Sequence, residues 1–308
     1  MWESVGLIQP PWGEIRGLIH SALQPTPFQI DAERIRIFFG GRDDLGVARI
    51  FFVDVGVDSP SVPLLFSHEP VLDIGQPGHF DDNGVVPTTL VRHEKDWHLY
   101  YAGYQIPQKA KFVVFGGCAQ TPDLATPFVR CTTTPVMDRR PGEELFRVPH
   151  SICKSGSELI AWYGGGNQYL ELNGQTKPVY DIRRTKTVDG KFCSNGQTCL
   201  TPGPSETRLA RPWVLRGPNQ FEMYFGAYTT AGEFRLGFAR SEDGIVWRRD
   251  DNEVTFSGKR QSWEKKSRSY PAVVETRLGH IMFYNGDSYG RDGIAVAIRR
   301  ESAHRRGT

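Results

Sequence analysis

The sequence predicts an all-β fold, a five-bladed β-propeller, and three observations predict it. A proline recurs at Pro25, Pro87, Pro149, Pro212 and Pro271, with gaps of 62, 62, 63 and 59 residues. An adjacent aromatic pair follows each proline: Phe38-Phe39, Tyr100-Tyr101, Trp162-Tyr163, Tyr224-Phe225 and Phe283-Tyr284. Small or turn-forming residues follow each pair, as in Gly40-Gly41, Gly164-Gly165-Gly166 and Asn285-Gly286. A fixed period of this length marks a repeated supersecondary unit, and units this rich in strand formers read as propeller blades. One domain over residues 1–308 is expected, with blades at roughly 24–57, 80–137, 145–200, 205–255 and 262–300.

Blade one reads as PTPFQI, RIRIFFGG and ARIFFVDVG, runs dense in β-branched and aromatic residues between turn signals. Blade two reads as VPTTLV, WHLYYAGYQ, KFVVFGGCAQT and FVRCTTTPV; blade three as VPHSICKS, ELIAWYGGG and PVYDIRRTKTVDG. Blade four reads as RPWVLRG, QFEMYFGAYT, FRLGFARSEDG and IVWRRDD, and blade five as YPAVVET, HIMFYNGDSYG and GIAVAIRRE. Blade five lacks a fourth strand, which the N-terminal segment 4–9 is expected to supply, closing the ring and removing an open edge. Each repeat proline is expected at the first residue of its strand, where no ladder donor is needed. WGEIRGLIHSAL, residues 12–23, is the nearest approach to a helix and reads as one or two turns. The tail RRESAHRRGT reads as a frayed polar end.

Composition narrows the function. With 37 basic and 35 acidic residues, the net charge of +2 gives no general drive toward nucleic acid or a membrane surface. No apolar run approaches the ~18 residues of a membrane span, so no membrane insertion is expected. The five cysteines are an odd number without a C-x-x-C pair, so neither a disulfide scaffold nor a metal site is expected, and no cofactor. The N-terminus lacks a basic region followed by an apolar one, and the expected location is cytoplasmic.

A propeller gathers one inner strand per blade around a funnel, so polar residues beside each repeat start become site candidates. These are His20, Gln24 and Arg42 from blade one, Asp81 and Asp82 from blade two, and His150 from blade three. Blade four adds Glu206, Arg211 and Trp213; blade five adds Glu264, Tyr270, Asn285 and Tyr289. Carboxylates, guanidinium groups and aromatic rings together suit a glycan or small sugar.

HFDDNGVVP with LYYAGY, RPWVL with MYFGAY and SEDGIVWRRDD, and SYPAVV with HIMFYNGDSYGRDGIAVAI resemble the five-bladed glycosidase-type propellers. The superfamily is that of glycoside hydrolase families 43, 32 and 68, including its small fructosidase- or arabinosidase-like members. The resemblance implies cleavage or transfer of a glycosyl unit, a furanosyl one above all, by two carboxyl groups across the scissile bond. Carried onto this sequence, it makes Glu206 the proton donor and Asp82 the opposing carboxylate. Asp43, beside Arg42, is similar to the Arg-Asp pair of fructan-active relatives and would fix hydroxyls. The chain departs from that pattern where Gln24 occupies the place of the first acid and VPHSIC lacks the third-blade aspartate. A transferase using a phosphate-activated sugar donor and a non-catalytic sugar-binding propeller therefore stay open beside a hydrolase.

Overall fold

The computed structural model describes residues 1–124, 127–172 and 174–300. The last eight residues of the polar tail lie outside that range. The chain opens with β1 (Trp2–Ile8). Blade one follows as β2 (His20–Gln29), β3 (Arg34–Arg42), β4 (Ala48–Gly56) and β5 (Pro63–Phe66). Blade two is β6 (Val85–His93), β7 (Asp96–Gln105), β8 (Val113–Thr121) and β9 (Val129–Arg130). Blade three is β10 (Phe146–Ser155), β11 (Glu158–Leu172), β12 (Gln175–Thr187) and β13 (Gln197–Leu200). Blade four is β14 (Glu206–Arg216), β15 (Phe221–Thr229), β16 (Phe234–Ser241) and β17 (Arg248–Arg249). Blade five takes β18 (Phe256–Ser257), β19 (Ser269–Thr276), β20 (Gly279–Asn285) and β21 (Ile294–Arg299). Its strand order is β18-β1-β21-β20-β19, so the first strand closes the ring on the last, antiparallel to β21.

The aromatic pairs explain the closure. Successive side chains on a strand point to opposite faces, and each blade is sandwiched between two neighbours. Phe38, Tyr100, Trp162, Tyr224 and Phe283 pack into the seam with the following blade. Phe39, Tyr101, Tyr163, Phe225 and Tyr284 pack into the seam with the preceding one. Five apolar clusters of the described residues thus fill five seams, and blade five meets blade one through Phe283, Val296, Phe39 and Phe51.

Two sequence expectations differ from the structure. Residues 12–17 form turns and no helix; Gly13 and Gly17 adopt φ of +80° and +77°, which breaks any helical run, while Leu18 is buried in the seam. The repeat prolines do not begin their strands; each lies inside its inner strand, at a β-bulge. The register shifts fall between Leu23 and Thr26, Pro87 and Thr89, Pro149 and Ser151, Ala210 and Trp213, and Ser269 and Ala272. Proline has no N–H for the ladder, and a bulge is where a strand tolerates that loss. The bulge also re-aims a side chain. In blades one, four and five the residue before the proline is left-handed: Gln24 at φ +50°, Arg211 at +51° and Tyr270 at +52°. In blades two and three the extra residue is Thr88 or His150.

Among the described residues no helix is long and apolar enough to cross a membrane.

Candidate functional site

Four of those bulges build the floor of a central funnel with a volume of about 490 Å³. Gln24, His150, Arg211 and Tyr270 line it, four side chains from four blades, each at an inner-strand bulge. Non-glycine residues in the left-handed region cost of order 1–3 kcal/mol each and cluster where function over-determines the backbone. Asn285 holds one of them: its Oδ1 accepts the Gln24 N–H at 2.8 Å and its Nδ2 donates to the Ala22 carbonyl at 2.7 Å.

Arg211 is 1% exposed. Its Nη1 donates to the Tyr270 carbonyl at 3.0 Å, and its Nη2 to the Pro25 carbonyl and Thr26 Oγ1, both at 2.7 Å. Its Nε has no partner, and among the described residues no carboxylate pairs with it. Burial lowers its pKa to about 9, which leaves the guanidinium charged at neutral pH. Arg208, 3% exposed, lies 3.8 Å over the Tyr228 ring with its Nη1 unpartnered. The Gln24 Oε1 and Arg42 Nε are also buried and unpartnered. Lys111 and Lys177 complete a lining that holds five cationic side chains and, among the described residues, no carboxylate.

Tyr104, Tyr180, Tyr270 and Tyr289 supply the walls. The Tyr270 and Tyr289 rings stack at 6.1 Å. Burial raises the pKa of the Tyr104, Tyr180 and Tyr270 phenols, so these stay protonated donors. Such rings cover the C–H face of a sugar while their hydroxyls bind at its edge. Lys177 and Tyr180 come from the β11–β12 hairpin, which extends beyond its blade at the funnel mouth. Tyr169 anchors that extension by exchanging hydrogen bonds with the Phe112 backbone.

His150 is neutral. Burial, then the charge of Arg211, pushes its pKa down to about 3 from 6.5. Its Nδ1 accepts from the Gly164 N–H at 3.4 Å, which leaves Nε2 as the protonated nitrogen. The unfolded chain therefore binds a proton that the folded chain refuses. Stability should fall as pH drops from about 6.5 toward 3, by up to about 1.4 kcal/mol per pH unit. Urea unfolding of wild type and His150→Asn between pH 7 and 4.5 checks this. The variant should show a flatter pH profile; parallel profiles would refute it.

The predicted carboxylates lie elsewhere. Asp81, fully buried, accepts from the Tyr101 hydroxyl at 2.9 Å and Arg130 Nε at 2.8 Å. Glu264 accepts from the Tyr284 hydroxyl at 2.5 Å and from Arg268 at 2.7 and 2.9 Å. Glu143, singled out by no sequence argument, accepts from the Tyr163 hydroxyl at 2.7 Å, from Arg183 at 2.8 Å and from Arg147. These are one device in three blades: a carboxylate ahead of the inner strand tied to the second aromatic of the pair and to an arginine. Glu206 is its counterpart in blade four. There Arg249 holds the carboxylate at 2.6 and 2.8 Å and lies 5.2 Å from the Phe225 ring, where no hydroxyl is present. Burial alone would raise the Glu206 pKa, but the Arg249 hydrogen bonds, the Gly203 N–H and the charges of Arg249 and Arg235 together outweigh it and hold the carboxyl below its usual range. A general acid needs the opposite shift.

Asp82 lies outside the lining and accepts the Gly78 N–H at 2.8 Å, while its neighbour Asn83 does line the funnel. Asp43 pairs with Arg49 at 2.7 Å, not with Arg42. It also accepts the Leu45 and Val47 N–H groups, shaping the loop that forms one wall. Trp213 donates to the Val273 carbonyl at 2.8 Å within the seam of blades four and five. His20 bonds Ser21 at 2.9 Å beside the funnel. The structure thus brings Gln24, Arg42, His150, Arg211, Tyr270 and Tyr289 together in the lining. His20, Asp81, Trp213, Glu264 and Asn285, with the three carboxylates Asp43, Asp82 and Glu206, fall outside it.

Fold and funnel define the class: a five-bladed β-propeller with a cationic central cavity. A glycosyl hydrolase from Bacteroides ovatus superposes with a TM-score of 0.70 at 11% identity, covering 98% of this chain and 95% of that one. An alpha-L-arabinofuranosidase from Lactobacillus brevis gives 0.67 at 10% identity, over 92% and 91%. A structure described under the GH130 family of mannoside phosphorylases, containing hydrolases of beta-1,2 mannosidic linkages in Candida mannan, gives 0.70 at 11%, over 97% and 94%. At these identities the likeness is one of fold. No family model matches the chain. The uncharacterized protein Rv1502 of Mycobacterium tuberculosis H37Rv is 30% identical over 302 residues, 96% of this chain and 98% of that protein. The chain belongs to the family of Rv1502.

Proposed function

We propose that this protein is a carbohydrate-active enzyme whose funnel takes a sugar carrying a phosphate group and uses it as a glycosyl donor. One observation carries the reading: Arg208 and Arg211 are buried in the cavity with no carboxylate partner among the described residues. An unpaired buried charge is costly, and an anionic ligand removes that cost. Guanidinium groups match phosphate oxygens in geometry as well as charge.

The same lining accounts for chemistry without a carboxylate pair. In transfer from a glycosyl phosphate the anomeric C–O bond breaks and its electron pair leaves on phosphate. Arg208 and Arg211 neutralise that charge as it develops. The acceptor hydroxyl oxygen forms the new glycosidic bond, and its proton passes to the departing phosphate. One fold neighbour is described under a family of mannoside phosphorylases that also contains glycoside hydrolases, so the fold is compatible with phosphate-dependent chemistry without selecting it.

Furanoside hydrolysis by Glu206 and Asp82 is the second reading, favoured by the likeness to the arabinofuranosidase. It needs two carboxyls facing each other across the substrate. The two readings separate on Glu206→Gln. Under phosphate-donor chemistry the variant keeps wild-type ligand affinity and loses about 1–3 kcal/mol of stability through the weakened Arg249 pair. Calorimetric titration with a glycosyl phosphate, its neutral parent sugar and an aryl furanoside gives the direct test. Binding and consumption of the phosphate alone is expected. Release of the aryl group by wild type but not by Glu206→Gln would overturn the proposal.

A further inference from the structure

We infer that His98, Cys118 and Cys131 form a metal site for a soft or borderline cation, with zinc as the representative ion. The site lies in the outer strands of blade two, apart from the funnel lining. His98 is on β7, Cys118 on β8, and Cys131 directly follows β9. The ladder brings them together. Tyr100 pairs with Cys118 across β7 and β8, which puts His98 two residues along the same strand face. The Cys131 N–H donates to the Cys118 carbonyl at 2.9 Å, which sets the two thiols side by side.

The distances suit a shared ion. The Cys118 and Cys131 sulfurs are 3.4 Å apart, and His98 Nδ1 is 3.7 Å from the Cys118 sulfur. All three donor atoms lie within 4.8 Å of one another. With Zn–S near 2.3 Å and Zn–N near 2.0 Å, tetrahedral ligands stand about 3.5–3.8 Å apart. Two of the three edges already have nearly that length, and the third closes by a small turn of the exposed Cys131 side chain. Two sulfurs and an imidazole are the donor set that zinc and copper(I) prefer over calcium or magnesium.

Binding replaces two thiol protons with the metal and releases both to solvent. Cys118 also packs in the seam of blades two and three beside Tyr100 and Tyr163, so a bound ion would tie an outer strand to that seam.

The test uses the full chain, reduced with a phosphine and stripped by a chelator. Zinc is titrated against a chromophoric competitor in weakly buffered solution. One equivalent of zinc, release of two protons and a rise in unfolding temperature are expected. Cobalt(II) in place of zinc should give thiolate-to-metal charge-transfer absorption in the near ultraviolet. Cys131→Ser and His98→Ala should each weaken zinc binding at least about fiftyfold. The exposed Cys193 serves as control, and Cys193→Ser should change nothing. Zinc affinity equal in wild type and Cys131→Ser overturns the site. So does a protein that forms a Cys118–Cys131 disulfide in air and, once reduced, binds no zinc.

Discussion

Arg211→Met should weaken binding of a phosphate-bearing sugar by about 10²–10³-fold, equivalent to about 3–4 kcal/mol. The guanidinium sits where blades one, four and five meet, with its Nε unpartnered and no carboxylate partner among the described residues. An anion there would gain a charge-assisted bond in a site largely shielded from water, where such bonds are strongest. Methionine keeps the stem volume but leaves the Pro25 carbonyl and Thr26 Oγ1 without their donor, so some folding stability is lost as well. Arg208→Met separates the two effects. Arg208 makes ring contacts and no carbonyl clamp, so its loss should weaken phosphate binding with a smaller change in unfolding temperature. Titration calorimetry with a glycosyl phosphate and its neutral parent sugar reads both. Equal affinity of wild type and both variants for the phosphate would mean that the cationic floor does not hold the ligand.

Glu143→Gln should cost about 3–5 kcal/mol of folding stability, the range for breaking a buried ion pair by removing one partner. The carboxylate is 1% exposed and accepts from Tyr163, Arg183 and Arg147. Arg147 is fully buried, and its remaining bonds go to the Asp138, Phe192 and Ser194 carbonyls. The amide can keep one or two hydrogen bonds but no charge, so Arg147 is left in the protein interior without its anion. Urea unfolding, with the midpoint and slope compared, measures the loss. A change below about 1 kcal/mol would show that the carbonyl cage alone suffices for Arg147.

The fold was legible because its cause is written along the chain. A ring of blades needs an inner strand with a bulge and a second strand with one ring for each neighbour. Proline followed by an aromatic pair records both. The site was only half legible. Gln24, His150, Arg211 and Tyr270 could be found because they stand at the repeat prolines. The acids beside them are ambiguous in the sequence, since a carboxylate before an inner strand serves equally as catalyst or as structural partner of a buried tyrosine. A signal that separates these roles was present: Asp81, Glu143 and Glu264 each precede Tyr101, Tyr163 and Tyr284 by the same 20 residues. Arg208, Lys177 and Tyr180 were missed because no repeat start marks Lys177 or Tyr180 and Arg208 lies four residues before its proline. For the hairpin pair, the Asn-Gly step between Leu172 and Gln175 is the sequence hint of a longer excursion. His98, Cys118 and Cys131 escaped because ladder register, not linear spacing, makes them neighbours.

Most of the funnel floor is carried by residues that no ladder hydrogen-bond register depends on. Positions 24, 150, 211 and 270 are the surplus members of four bulges that line the funnel. Their identities are therefore largely uncoupled from strand pairing. A combinatorial library at these four codons should return many folded proteins with altered ligand choice, and at 24, 211 and 270 it should be enriched in glycine and asparagine, which relieve the left-handed backbone. Strand pairing and the chemical character of the centre are thus set largely by different residues, with Arg211 the exception because it also clamps three blades.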